Sequence, residues 1–95
     1  LGAAKPAKVS LKSVKAAKKG KVKVKYKKVS GAAGYQIQYS LKSNMKSAKS
    51  KTTKKATYTI SKLKKGKKYY VRVRAYNKGK KAYGDWSNKK AVKVK

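Results

Sequence analysis

The side chains of this chain that could take part in chemistry are almost all cationic. Of its 95 residues, 31 are Lys or Arg and a single one, Asp85, is acidic, which gives a formal net charge of +30. The chain has no His, Cys or Glu. General acid–base catalysis needs a group that titrates near neutral pH, and carboxylate-based glycosidase or metal sites need more than one acid. The sequence therefore predicts a protein that is not an enzyme and that needs no metal and no cofactor.

The two arginines are the residues best suited to hold an anion. Arg72 and Arg74 lie two residues apart in an alternating segment, where their guanidinium groups could bind phosphate or sulfate bidentately. Tyr70 and Tyr76 are predicted to share their outward face, and basic residues follow. The candidate polyanion-binding residues are Tyr70, Arg72, Arg74, Tyr76, Lys78, Lys80 and Lys81. The alternative is that both tyrosines only cover lysine and arginine stems as cross-strand packing. Trp86 is interpreted as a lid on the end of the sheet.

The charge predicts the class of partner more firmly than it predicts a site. A dense lysine surface attracts DNA, RNA, heparin-like glycans, teichoic acids, anionic lipids and acidic proteins. The sequence contains no recognition helix, zinc finger or aromatic RNA-binding motif, so this binding is expected to lack sequence specificity. We expect the protein to be a monomer.

Short alternating segments must position these residues. From Lys21 to Lys27, lysine alternates with Val22, Val24 and Tyr26, which is typical of a half-buried strand with one solvated face. The same alternation recurs further along the chain, and a bent or bulged first strand is expected around Val9 to Val14. The predicted core consists of Val22, Val24, Tyr26, Tyr35, Ile37, Tyr39, Tyr58, Ile60, Leu63, Tyr69, Val71, Val73, Val92 and Val94.

These segments favour an all-β fold. Short strands separated by turn residues, without helical periodicity, predict an antiparallel seven-stranded β-sandwich over residues 7–95, preceded by a short leading segment or linker at residues 1–6. An edge strand is expected around 48–53. No apolar stretch approaches the ~20 residues that a membrane-spanning helix needs. The alternative is a disordered polycation, since about one charge per three residues is a balance typical of disorder.

Three segments resemble the fibronectin type III family, and the resemblance covers nearly the whole chain. The stretch 29–40 is similar to the second turn and third strand of the family, and 70–77 resembles its sixth strand. Residues 63–69 resemble the leucine, glycine and tyrosine corner, which implies that the Tyr69 hydroxyl satisfies a backbone group upstream. Tyr26 stands where the family usually has tryptophan.

This resemblance implies a non-catalytic spacer or binding module with an immunoglobulin-like sandwich. The lysine-rich turns and the late Trp86 are similar to type III modules of secreted or wall-attached proteins of Gram-positive bacteria, which implies a secreted or cell-surface location. A second interpretation stays open, because replacing acids on a stable sandwich would give the same pattern. The chain would then be an engineered, supercharged scaffold for solubility, cell penetration, nucleic-acid carriage or electrostatic assembly, and its location could not be assigned.

Overall fold

The computed structural model describes residues 6–77 and 82–95. These residues form seven β-strands in two antiparallel sheets, which confirms the predicted all-β sandwich. One sheet has the order β1-β2-β5 and the other the order β4-β3-β6-β7. The strands are β1 (Leu11–Ala17), β2 (Lys21–Tyr26), β3 (Gly34–Ser40), β4 (Lys49–Thr53), β5 (Thr57–Ile60), β6 (Lys68–Tyr76) and β7 (Lys90–Lys93). Within this part of the chain no helix could cross a lipid bilayer. Residues 1–5 of the predicted leading segment lie outside the described residues.

The alternating residues form the strands because one face of each sheet is buried. In β2, Val22 and Val24 are fully buried while the lysines between them are exposed. Of the predicted core, all residues are buried except Tyr58, Leu63 and Val92, which are half-buried and pack against the buried cluster. β1 begins at Leu11 and its pairing with β2 shifts register between Leu11 and Ser13, so the predicted bulge is confirmed. Val9 is buried but precedes the strand.

The chain has eight tyrosines and no phenylalanine, and the hydroxyls of three core tyrosines connect the sheets to the turns. The N–H of Lys64 donates to the Tyr69 hydroxyl at 3.0 Å, as the resemblance implied. The N–H of Val29 donates to the Tyr35 hydroxyl at 2.8 Å, and the Tyr26 hydroxyl donates to the carbonyl of Lys55. Burial, and secondarily Tyr35, raises the pKa of Tyr26 well above its usual range. A buried hydroxyl needs such a partner, so each tyrosine fixes a turn as well as filling the core.

Gly20 and Gly66 allow the cost of a left-handed backbone to be separated from the cost of a steric overlap. Both have positive φ, 72° and 75°. A Cβ at Gly20 would lie 2.6 Å from the carbonyl oxygen of Leu63, whereas a Cβ at Gly66 would meet nothing within 4 Å. We expect Gly66→Ala to cost about 1–2 kcal/mol of unfolding free energy, and Gly20→Ala about 2 kcal/mol more, because the turn must also shift. Urea denaturation measures both, and equal losses would contradict the overlap.

Candidate binding surface

The predicted arginine segment lies on the outer face of β6. The inward residues of this strand are Tyr69, Val71, Val73 and Ala75, so the residues between them point away from the core. In the pairing with β3, Arg72 lies opposite Gln38 and Arg74 opposite Gln36. The Nε of Arg72 donates to Gln38 Oε1 at 2.6 Å, and the Nε of Arg74 donates to Gln36 Oε1 at 2.7 Å. Each guanidinium is therefore held in one orientation by a neutral acceptor on the neighbouring strand.

Two aromatic rings stack on these guanidinium groups. The Trp86 ring centroid lies 4.2 Å from the Cζ of Arg72 and 4.2 Å from the Cζ of Arg74. The Tyr83 ring centroid lies 4.0 Å from the Cζ of Arg74. Tyr83, Arg74, Trp86 and Arg72 thus form a series of alternating rings and cations, here called the arginine ladder. Cation–π contacts of this kind are favourable, and more so where the cation is partly desolvated.

The segment 83–87 holds the rings in place by bonding to β6 before β7 begins. The N–H of Ser87 donates to the carbonyl of Val73 at 2.8 Å, and the N–H of Val73 donates to the Ser87 hydroxyl at 2.9 Å. The N–H of Gly84 donates to the carbonyl of Ala75 at 2.8 Å. A Cβ at Gly84 would lie 2.6 Å from the carbonyl oxygen of Pro6, so a glycine allows this close approach. Trp86 consequently covers the outer face of β6, not the end of the sheet as predicted.

The ladder places two like charges in a partly dry environment. Both arginines are half-buried. Burial, and secondarily the charge of Arg74, lowers the pKa of Arg72 from its ordinary value. A guanidinium stays charged at neutral pH even so, and its stacked faces are no longer open to solvent. An anion that binds Arg72 or Arg74 would therefore contact the edge of the guanidinium group and not its face.

Tyr76 is the predicted site residue that the structure places differently. It was expected to face outward beside Tyr70, but only 8% of its surface is exposed. Tyr76 lies opposite Gly34, which has no side chain, and its ring occupies the space that a Cβ there would take. Tyr83 covers it further, with an edge-to-face contact at 6.1 Å between centroids. A ligand in solution therefore has little access to Tyr76.

The remaining predicted site residues are spread out. Tyr70 is half-buried on the outer face of β6, with the Lys68 Nζ 5.5 Å from its ring centroid. This contact fits the interpretation of Tyr70 as cover for a lysine stem. Lys78, Lys80 and Lys81 lie outside the described residues. The arrangement also includes Gln36, Gln38 and Tyr83, which were not predicted as site residues. Two glutamines and two arginines, each pair at a spacing of two, were a usable signal for it.

Lysines cover the rest of the surface. Every lysine within 6–77 and 82–95 is exposed, on both sheets and on the turns between them. Successive outward residues of a strand lie about 7 Å apart, which is less than the screening length of about 10 Å at moderate salt. The potentials of neighbouring ammonium groups therefore overlap into a continuous positive surface.

Both the sequence and the fold are similar to those of known proteins. Residues 5–90 match the family model described as the fibronectin type III domain. The fold is similar to that of an Fn3-like protein from Clostridium thermocellum, with 22% identity, a TM-score of 0.78, and 97% of this chain and 96% of that chain covered. It is also similar to the FN1–FN3 domains of chicken CNTN1 (22% identity, TM-score 0.82), where 95% of this chain spans 33% of that chain. The sixth type III domain of human fibronectin type III domain containing protein 3 has 17% identity and a TM-score of 0.76, over 98% and 89% of the two chains. No curated protein matches the sequence.

Proposed function

This chain belongs to the fibronectin type III family, whose domains are generally non-catalytic binding or spacer modules, and from that membership we propose that it binds polyanions through its lysine surface. The binding is electrostatic and has no sequence specificity. Its ligands are nucleic acids, sulfated glycans, anionic cell-surface polymers such as teichoic acids, anionic lipids and acidic proteins. Domains of this family are often extracellular or cell-surface modules, and we place this one at such a location.

The exposure of every described lysine is the observation that carries the proposal. Exposed ammonium groups exchange counterions freely, and release of those counterions drives association with a polyanion. On β2, Lys21, Lys23 and Lys25 form one such row on the outer face of the three-stranded sheet. Comparable rows lie elsewhere on the surface, so a polyanion has many equivalent ways to bind.

The two arginines have a smaller part in this proposal. Arg72 and Arg74 add charge to the outer face of β6, but their faces stack on rings and their Nε groups are bonded to glutamines. The lysines are not constrained in this way and can follow the backbone of a flexible polymer. We therefore propose that lysines supply most of the contacts, and that Arg72, Arg74 and Tyr70 mainly shape the surface between them.

The proposed absence of catalysis rests on the available side chains. The chain has no imidazole or thiol and a single carboxylate. Within 6–77 and 82–95, its other ionisable side chains are exposed lysines, the two ladder arginines and tyrosines.

A binding panel at one low ionic strength tests this function. We expect duplex DNA, heparin, vesicles containing phosphatidylglycerol and an acidic protein all to bind, and dextran and phosphatidylcholine vesicles not to bind. Replacing Lys21, Lys23 and Lys25 by glutamine is expected to weaken DNA binding about as much as replacing Lys54, Lys55 and Lys65, because both triple variants remove the same charge.

Two results would refute the proposal. One is a lack of binding to both DNA and heparin at low ionic strength. The other is a loss of binding in only one of the two triple variants, which would indicate a localised site in place of a diffuse surface. Circular dichroism of each variant verifies that the fold is intact.

A further inference from the structure

A groove opens between the two sheets on the side where β4 and β5 are the edge strands. On the opposite side of the sandwich, β1 packs against β7. Residues of β4, β5 and the segments that follow β3 and β5 line a cavity of about 570 Å³. This volume lies within the range of small-molecule sites in proteins. The groove is separate from the arginine ladder, which lies on the outer face of the four-stranded sheet.

The floor of the groove is apolar and aromatic. It includes Tyr58 and Leu63, which are half-buried, and Tyr69 and Ile60, which belong to the core. Leu41 also lines the groove, with 45% of its surface exposed, and it is the one large hydrophobic residue within 6–77 and 82–95 that is this exposed. A long apolar ligand could cover Leu41 and the floor together.

Tyr39 provides a second sign that water is partly excluded from this floor. Burial, and then the neighbouring Tyr58 and Tyr69, raises the pKa of Tyr39 above its ordinary value. The rings of Tyr39 and Tyr69 pack against each other, with centroids 6.4 Å apart. The aromatic floor is therefore continuous from β3 to β6.

Lysines form the rim. In the pairing with β3, Lys51 lies opposite Ile37 and Lys49 opposite Tyr39, so both project from the face of β4 that its neighbours bury. Both are nevertheless exposed, because no element covers β4 on that face. Four further lysines line the groove from its loops, and Asp85, the single acid of the chain, is not among the lining residues. The four are Lys42, Lys46, Lys62 and Lys64.

From this complementarity we propose that the groove binds a single-chain amphiphilic anion, an alkyl chain that ends in a phosphate, sulfate or carboxylate group. The chain lies along Leu41, Tyr58 and Leu63, and the head group lies among the rim lysines. The site adds to the proposed polyanion surface but does not depend on it. A polyanion loses its affinity at high salt, whereas burial of an alkyl chain does not weaken there.

Inward-pointing lysines on an edge strand have another known use, which is to prevent edge-to-edge pairing of sheets. That role accounts for Lys49 and Lys51. It does not account for an exposed Leu41 next to an apolar floor, or for the four lysines supplied by loops. The two roles differ in what they predict for ligand binding.

The test is a titration with octyl sulfate below its critical micelle concentration, followed by amide chemical shifts, at about 0.15 M salt, where charges more than about 8 Å apart are screened but charges in contact are not. We expect saturable shifts confined to residues 39–51 and 58–64 and to Tyr69. Inorganic sulfate, which lacks the tail, and octyl glucoside, which lacks the charge, should each bind at least about tenfold more weakly. Shortening the tail by two methylenes, to hexyl sulfate, should weaken binding about tenfold.

Matched variants identify the groove. Lys49→Gln with Lys51→Gln should weaken octyl sulfate binding about tenfold, while Lys23→Gln with Lys25→Gln, which removes the same charge from the outer face of β2, should change it less than about twofold. Leu41→Ser should weaken octyl sulfate binding and leave DNA binding at low salt unchanged. Equal losses in the two lysine pairs, equal binding of octyl glucoside and octyl sulfate, or shifts spread over the whole surface would each overturn the proposal. None of these results would affect the DNA and heparin panel.

Discussion

Raising the salt concentration from about 50 to about 200 mM is expected to weaken binding of duplex DNA to this domain by roughly 10³- to 10⁵-fold. This range applies to a protein that neutralises about 6–10 phosphates. The domain has enough exposed lysines on its strands and the turns between them for contacts of that number. Fluorescence anisotropy of a labelled duplex measures the dissociation constant at each salt concentration, and the slope of log K against log salt gives the number of counterions released.

The sequence of the duplex provides the control for this prediction. Because no base contacts are proposed, two unrelated duplexes of equal length should have the same affinity and the same slope. A slope that corresponds to only about one or two counterions would contradict the lysine surface as the binding element. So would a strong preference for one duplex.

Trp86→Ala is expected to lower the free energy of unfolding by about 3 kcal/mol. The ring lies between two guanidinium groups, with its centroid 4.2 Å from each Cζ. Its removal exposes apolar surface and leaves two like charges without the ring that separates them. Urea denaturation measures the loss, and the DNA affinity of the folded variant should change less than about twofold, because the net charge is the same.

Tyr70→Ala is the matched control for the ladder. Tyr70 is also half-buried on β6, but its cation contact is to Lys68, at 5.5 Å, and involves no second cation. We expect Tyr70→Ala to lower the free energy of unfolding by at least about 1 kcal/mol less than Trp86→Ala does. Trp86→Phe should recover part of the stability, since a smaller ring can still stack. If Trp86→Ala and Tyr70→Ala cost the same, the ladder would contribute nothing beyond the burial of ring area.

Much of the fold could be predicted because apolar residues alternate with polar or charged ones, most regularly in β2, β3 and β6. Lysine cannot be buried without a partner, so the valines of β2 could only face inward. In the same way the inward residues of β3 and β6 were predicted, and they are buried. The corner at Tyr69 was implied by the resemblance to the type III family, and the N–H of Lys64 donates to the Tyr69 hydroxyl across this short turn.

The pairing of strands that are distant in sequence could not be predicted in the same way. Alternation assigns Tyr70 and Tyr76 to the same outward face, yet Tyr76 is buried because Gly34 and Tyr83 meet it from elsewhere in the chain. Similarly, alternation does not indicate how segment 83–87 contacts the rest of the fold. In the structure it bonds to β6 through isolated contacts, and β7 begins only at Lys90.

The sequence by itself determined that this chain is a β-sandwich with tyrosines and valines inside and a continuous cationic exterior. The reason is that each lysine must face solvent, so the apolar residues next to it in the strand must face the core. Only the tertiary structure decided that two arginines stack on the rings of Tyr83 and Trp86, and that Lys49 and Lys51 border an apolar groove. Both arrangements depend on which strands become neighbours or edges of a sheet. A periodicity of two specifies on which face a side chain lies, but not what lies across from it.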